Sequence, residues 1–287
     1  MFIGCHVSTA GGITKAPQRA ADLGCEVFQI FTRSPQGGPA PKITPEIIKE
    51  FKSEMEKWGQ KNCYIHTPYY INFASIKAVT RKLSSKIVRE ELERGSLIGA
   101  KYVMTHLGSS ASLVANGVKD TGKEDALKIT AEGVAKILDG YKGSAKLLLE
   151  ISAGAGETIG DTFEELAFII NGDKRLGVCL DSAHMFASGY NIVSGTEFKK
   201  IISEIKKTVG MDNIKLIHSN DSKVGLGERK DRHEHIGMGK IGKVGFENLV
   251  GAFKNADLIM ETQHDLAAKD IAILKSIRMS KDVEHKN

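Results

Sequence analysis

No two of the four cysteines form a C-x-x-C pair: Cys5, Cys25, Cys63 and Cys179 are scattered along the chain. That spacing offers no disulfide framework and reads as small core residues kept reduced in an intracellular, cytoplasmic setting. No run of about 18 apolar residues occurs, so no membrane span is expected. The opening Met1-Phe-Ile-Gly-Cys-His6 has neither the basic start nor the long apolar stretch of a signal peptide and reads as a first strand. The glycine clusters at 154–160 and 237–242 lack the spacing of a phosphate-binding loop, which leaves them as loop geometry. A large excess of one charge is missing too. The formal +5 permits a polyanionic partner without demanding one.

What is present is a chain of 287 residues, 41% apolar and 26% charged, ordinary for a globular protein with a sizeable core. Its nine histidines are more informative, because five fall at strand ends or just beyond. Cys63-Tyr-Ile-His66, Tyr102-Val-Met-Thr-His106, Lys146-Leu-Leu-Leu-Glu150, Leu176-Gly-Val-Cys-Leu-Asp181, Ile214-Lys-Leu-Ile-His218 and Leu258-Ile-Met-Glu261 are short apolar runs, each closed by a metal-type ligand. A buried parallel strand has no reason of its own to end on an acid or imidazole, so these residues belong to a site beyond the strands.

Between the strands the sequence alternates with helical patterns. Thr44 with Pro45 behind it caps a helix reaching about Trp58, Ile76, Val79, Leu83 and Ile87 repeat at helical spacing, and Asp161-x-x-Glu164 opens another helix. Thr121-x-x-Glu124 resembles a capping box for a helix with Leu127, Ala131, Val134 and Leu138 on one face. Phe198, Ile201, Ile202, Ile205 and Val209 form the stripe of a later helix, and Ser280 to Asn287 reads as a frayed tail. Strand ends fall near 6, 31, 66, 106, 150, 181, 218 and 261, at intervals of roughly 25 to 44 residues, each able to hold one crossover helix. Eight such units predict an α/β fold, a (β/α)8 TIM barrel forming a single domain over 1–279 with a polar tail over 280–287. An open doubly wound sheet would gather its site at one crevice, whereas ligands from six strands meet only in a ring.

One histidine at a strand end is ordinary hydrogen-bonded structure. Six ligand-type residues at equivalent positions are not, and Glu150, Asp181 and Glu261 would repel one another without cations between them. Imidazole with carboxylate and no thiolate suits zinc or a similar metal with open positions. The loops add Asp181-x-x-His184 and Asp231-Arg-His233, so nine candidates stand ready: His66, His106, Glu150, Asp181, His184, His218, Asp231, His233 and Glu261. Nine residues suggest two or three metals, and paired metals are typical of phosphoester hydrolysis.

His66-Thr-Pro-Tyr-Tyr-Ile-Asn72, Thr105-His106, Glu150, Gly177-Val-Cys-Leu-Asp-Ser-Ala-His-Met-Phe-Ala-Ser-Gly-Tyr190, His218-Ser-Asn-Asp-Ser-Lys223, Lys230-Asp-Arg-His-Glu-His-Ile-Gly-Met-Gly-Lys-Ile-Gly242 and Glu261-Thr262 together resemble the endonuclease IV family of apurinic/apyrimidinic endonucleases, as does His6-Val-Ser-Thr-Ala-Gly-Gly12. The resemblance covers the whole chain. It implies three zinc ions: one held by His66 and His106, a second by Asp181, His218 and Glu261 with Glu150 bridging the pair, and a third by His184, Asp231 and His233. It further implies a DNA-repair hydrolase that attacks the phosphodiester 5′ to an abasic site with hydroxide, Glu150 or Glu261 helping to deprotonate the water. Products would be a 3′-hydroxyl and a 5′-deoxyribose phosphate, and blocked 3′ ends would be trimmed as well.

The expected partner is therefore double-stranded DNA with abasic sites or blocked 3′ ends, met by a monomer. Tyr69 and Tyr70 are candidates for filling the gap left by the flipped nucleotide. Gln36, Arg232 and Lys240 are further DNA-contact candidates, within a basic patch that adds Lys119, Lys123, Lys223, Arg229, Lys230 and Lys243. Three departures from the family pattern stand out. Ser34-Pro-Gln-Gly-Gly38 lacks the arginine and aromatic that relatives often place near Gln36, Glu150-Ile-Ser replaces Glu-Asn-Thr, and no proline follows Thr262. Two other readings compete. A one-metal sugar isomerase or epimerase would need only Glu150, Asp181, His218 and Glu261, and a non-catalytic binder of damaged DNA would need none of the nine.

Overall fold

In the computed structural model, which describes residues 1–110 and 122–284, alternating strands and helices follow the chain. The strands are β1 (Ile3–His6), β2 (Val27–Ile30), β3 (Cys63–His66), β4 (Tyr102–Thr105), β5 (Lys146–Glu150), β6 (Leu176–Asp181), β7 (Ile214–His218), the short β8 (Asp221–Ser222) and β9 (His233–Glu234), and β10 (Asp257–Met260). The helices are α1 (Ala16–Asp22), α2 (Pro45–Lys57), α3 (Ala78–Ile98), α4 (Gly122–Leu138), α5 (Phe163–Ile170), α6 (Ser182–Ala187), α7 (Gly195–Lys207), α8 (Gly242–Ala252) and α9 (Ala267–Glu284). Eight strands pair in parallel and close into a barrel in the order β1-β10-β7-β6-β5-β4-β3-β2. The fold is the TIM barrel that the strand spacing predicts. β8 and β9 form a separate antiparallel pair after β7.

Local signals explain the helix starts. The Thr44 hydroxyl accepts from the Ile47 amide at 3.4 Å, with Pro45 at the first helical position. At α5 the cap is Thr162, one residue after the expected Asp161, because its hydroxyl reaches the Glu165 amide at 3.2 Å. The predicted stripe of α3 is a larger departure: Ile87 is buried as expected, but Val79 is 72% and Leu83 49% exposed, and Ile76, ahead of the helix, also faces solvent. Packing turns α3 onto another face, where Gly95 lets it close on Ile65 and Val103. There the buried Glu91 accepts from Thr32 and from Arg33 at 2.6 Å, tying down the loop after β2. Helix α9 continues through Ser280 to Glu284, within the expected tail. The Thr121 end of the proposed capping box and Lys119 lie outside the described residues.

Alternation along the strands sorts side chains between two cores. One face packs outward under the helices. The other fills the barrel with a layer of Val27, Tyr64, Met104, Leu148, Cys179, Leu216 and Ile259. Gly4 is the contribution of β1 to that interior, where a Cβ would fall 1.6 Å from the Val27 carbonyl oxygen. The next inward position of each strand, two residues on, belongs to the barrel mouth. Among the described residues no helix is long and apolar enough to cross a membrane.

Candidate metal centre

Two residues beyond the apolar layer stand Gln29, His66, His106, Glu150, Asp181, His218 and Glu261, and β1 adds His6 two residues beyond Gly4. The strand period alone therefore assembles a polar ring on an apolar floor. His184 enters from α6, which starts on Asp181: the Asp181 carboxylate accepts from the His184 amide at 2.8 Å. Asp231 arrives from the long loop after β8, and His233 from β9, to which that loop leads. All nine ligand candidates meet at one place.

Distances bind them into overlapping groups. His218 Nδ1 lies 3.1 Å from both Glu150 Oε1 and Glu261 Oε2. Glu150 Oε2 is 3.5 Å from His106 Nδ1, Glu150 Oε1 is 3.3 Å from His184 Nδ1, and Glu261 Oε1 is 3.8 Å from His66 Nε2. His233 Nε2 is 3.7 Å from Asp181 Oδ2 and 3.1 Å from Asp231 Oδ1, while Asp231 Oδ2 is 3.3 Å from His184 Nε2. Three sets have ligand atoms within 4.8 Å of one another: His66, His106 and Glu150; Glu150, Asp181, His218 and Glu261; Asp181, His184 and His233. Glu150 and Asp181 are each shared between two sets.

Burial and neighbouring charge act against each other at some of these groups and together at others. Burial opposes the charge on Glu150, yet His106, His218 and His184 override it and hold the carboxyl well below its usual range. Burial opposes protonation of His184, His218 and His233, yet all three are pushed above the ordinary histidine value, His184 and His233 by Asp181 and Asp231, and His218 by Cys179 and then by Glu261 and Glu150. His66 is pushed well down, first by burial and then by the charge of His106, and burial takes His6 to about 3. Burial also raises Glu261.

The donor set fits divalent cations. Glu150 Oε2, His184 Nε2 and His233 Nε2 are buried with no hydrogen-bond partner, although their neighbours lie at 3.1 to 3.7 Å. Buried polar atoms left unpaired are costly. Two ligands bound tetrahedrally at about 2.0–2.1 Å from zinc stand roughly 3.3 Å apart, so the spacing here is that of atoms facing a common ion.

Comparison with known proteins places this arrangement. Residues 17–281 match the family described as xylose isomerase-like TIM barrels. The chain is 36% identical over 289 residues to a "Probable endonuclease 4" of Aquifex aeolicus, covering 98% of this chain and 99% of the relative. A protein of the same name from Nitrosopumilus maritimus gives the same identity and coverage. The crystal structure of endonuclease IV from Thermus thermophilus superposes with a TM-score of 0.84 at 29% identity, over 99% of this chain and all of that one. The chain belongs to the endonuclease IV family. A D-tagatose 3-epimerase-like protein, at 20% identity and a TM-score of 0.75, shares the barrel alone.

Outside the ligand ring, the residues expected to contact DNA are less uniform. Tyr69 is 65% exposed and stands edge-on to Phe31 and His66, at the rim of the site. Tyr70 is half-buried and shares a groove of about 380 Å³ with Gln36, Gly37 and Gly38. Arg232 and Lys240 are exposed in the loop that brings in His233. Two basic residues of the patch are engaged by Asp161: Lys123 lies on α4, bonded to Asp161 at 2.6 Å and to Glu165, and Arg229 reaches Asp161 at 3.1 Å. A concavity of about 760 Å³ opens between the loops after β1 and β2, beside the ring and not over it.

Residue type hid three further contributors. Gln29 and Asn220 are buried amides within the ring; Asn220 donates to Asp181 Oδ2 at 2.7 Å and accepts from the Glu261 amide at 2.8 Å. Asp221 is a buried carboxylate that accepts from the amides of Ser222 (2.8 Å), Gly237 (2.9 Å), Ile241 (2.9 Å) and Gly242 (3.1 Å). Asp221 thus closes the loop carrying Asp231 and His233. Asp221→Ala leaves those amides unpartnered and should cost about 2–4 kcal/mol, with limited proteolysis cutting first between 223 and 242. Unchanged melting and unchanged cleavage would contradict that role.

Proposed function

We propose that the chain is an apurinic/apyrimidinic endonuclease that uses three zinc ions to hydrolyse the phosphodiester 5′ to an abasic site in duplex DNA. The observation that supports this is the surplus of ligands. A one-metal sugar epimerase would use Glu150, Asp181, His218 and Glu261, and would have no use for two more sets, His66 with His106 and His184 with His233, sharing their carboxylates. A binder without catalysis would gain nothing from burying so many unpaired donor atoms.

In this reading His66, His106 and Glu150 would hold one ion, and Glu150 with Asp181, His218 and Glu261 would hold a second. His184, Asp231 and His233 would hold the third. Cations bound there would bring the pKa of water toward neutrality and neutralise charge on the phosphate and the departing 3′ oxygen. Glu150 is sealed from solvent on every side, whereas the Glu261 side chain is 15% exposed at the mouth. Glu261 is therefore the carboxylate that takes the proton of the attacking water, and Glu150 orients it. Tyr69 occupies the gap left by the flipped abasic nucleotide, flanked by Tyr70 and Gln36, while Arg232 and Lys240 contact backbone phosphates without reading sequence. The same ions would serve a blocked 3′ terminus, since the bond broken is again a phosphoester.

A 5′-labelled duplex with a single abasic site should be cut once, 5′ to that site, leaving a 3′-hydroxyl. A chelator should abolish the cut and zinc without magnesium should restore it, while His66→Ala or His233→Ala should lower kcat about 10²–10³-fold. An intact duplex after incubation with zinc-loaded protein would overturn the proposal.

Metal uptake should depend on pH with a definite sign. His184, His218 and His233 are raised, so near neutral pH the metal-free chain carries protons where cations must bind. Binding expels those protons, and zinc affinity should climb about tenfold per pH unit for each one displaced between pH 6 and 8. Chelator competition measures this; an affinity independent of pH would contradict the proton count.

A further inference from the structure

Gln29 stands in the ring among the metal-ligand candidates without being one of them. It sits fully buried on the inward face of β2, two residues beyond Val27, and reaches across the barrel toward β7 and β10, neither of which pairs with β2. Its amide is completely used. Oε1 lies 2.9 Å from His218 Nε2, while Nε2 donates to Glu261 Oε1 at 2.7 Å and lies 3.2 Å from His6 Nδ1.

The carboxylate fixes which way the amide points, because Glu261 accepts only, so the NH2 group must face it. The amide oxygen then faces His218 Nε2 and can only accept. His218 must therefore carry hydrogen on Nε2, which leaves Nδ1, at 3.1 Å from both Glu150 and Glu261, as the nitrogen that can give up its proton and turn its lone pair to a cation. The reversed amide would set its oxygen against the Glu261 carboxylate and its NH2 against the Nε2 hydrogen. One neutral side chain with a donor at one end and an acceptor at the other holds an imidazole and a carboxylate in complementary states.

We propose that Gln29 is a positioning residue that sets the tautomer of His218 and the rotamer of Glu261, so that both present their ligand atoms to the same ion. This rests on the metal-centre reading above. Gln29 touches neither that ion nor substrate, and acts through the two ligands it joins. Outer hydrogen bonds of this kind typically change metal affinity by 10–100-fold. No other side chain of that length does both jobs: Met has the length without the polarity, and Glu keeps the acceptor but opposes Glu261.

The test uses the full chain with 15N-labelled histidine, loaded with zinc. Wild type should show a slowly exchanging Nε2–H resonance for His218, assigned by its loss in His218→Gln. Gln29→Met should lose that resonance and weaken zinc retention against a chelator by about 10–100-fold. Gln29→Glu, which keeps shape and the acceptor, should retain the resonance and guards against a folding defect in the Met variant. Retention within twofold of wild type in Gln29→Met, or loss of the resonance in both variants alike, would overturn the assignment. A wild-type chain that takes up no zinc would overturn the metal-centre reading instead, and this inference with it.

Discussion

Three carboxylates, Glu150, Asp181 and Glu261, are brought to one end of a closed barrel, two of them completely buried. That juxtaposition is the constraint on which the rest depends. Like charges in a medium of low polarity cannot remain uncompensated. In the metal-free chain the compensation comes from protons held on His184, His218 and His233, and with metal it would come from cations in the same positions. The surrounding structure serves this exchange. The apolar layer beneath excludes water, the amides of Gln29 and Asn220 hold carboxylate oxygens without adding charge, and Asp221 closes the loop that delivers the last two ligands.

The ring also explains why a barrel suits this chemistry. Every inward-facing residue has its successor two positions on, so a layer of Val27, Tyr64, Met104, Leu148, Cys179, Leu216 and Ile259 is followed by a layer of polar groups at matching height. No single strand supplies more than one of them. An ion cluster built this way needs little loop adaptation except on one side, where α6 and the loop after β8 bring in His184, Asp231 and His233.

Much of this was legible in the sequence because ligand-type residues at strand ends break the expected apolar run: His66, Glu150, Asp181, His218 and Glu261 each do so. The eightfold alternation and the Thr44-Pro45 cap were equally plain. Gln29 escaped notice because an amide in a strand is neither a metal ligand nor a break, and only its distance to His218 and Glu261 reveals a role. The α3 stripe misled for a different reason. Val79 and Leu83 have helical spacing, but tertiary contacts choose the face, and here a glycine and a buried glutamate, Gly95 and Glu91, won it. Charge in the loops was similarly opaque, since nothing local distinguishes a lysine paired with Asp161 from one open to a phosphate.

The central claim, that the ring is a cage for several cations, is tested most directly by anomalous diffraction at the zinc absorption edge from crystals of zinc-loaded protein. The account predicts separate peaks within the three ligand sets, two of them about 3.5–4 Å apart and bridged by Glu150. A single peak among Glu150, Asp181, His218 and Glu261, with nothing beside His66 and His106 or beside His184 and His233, would contradict it.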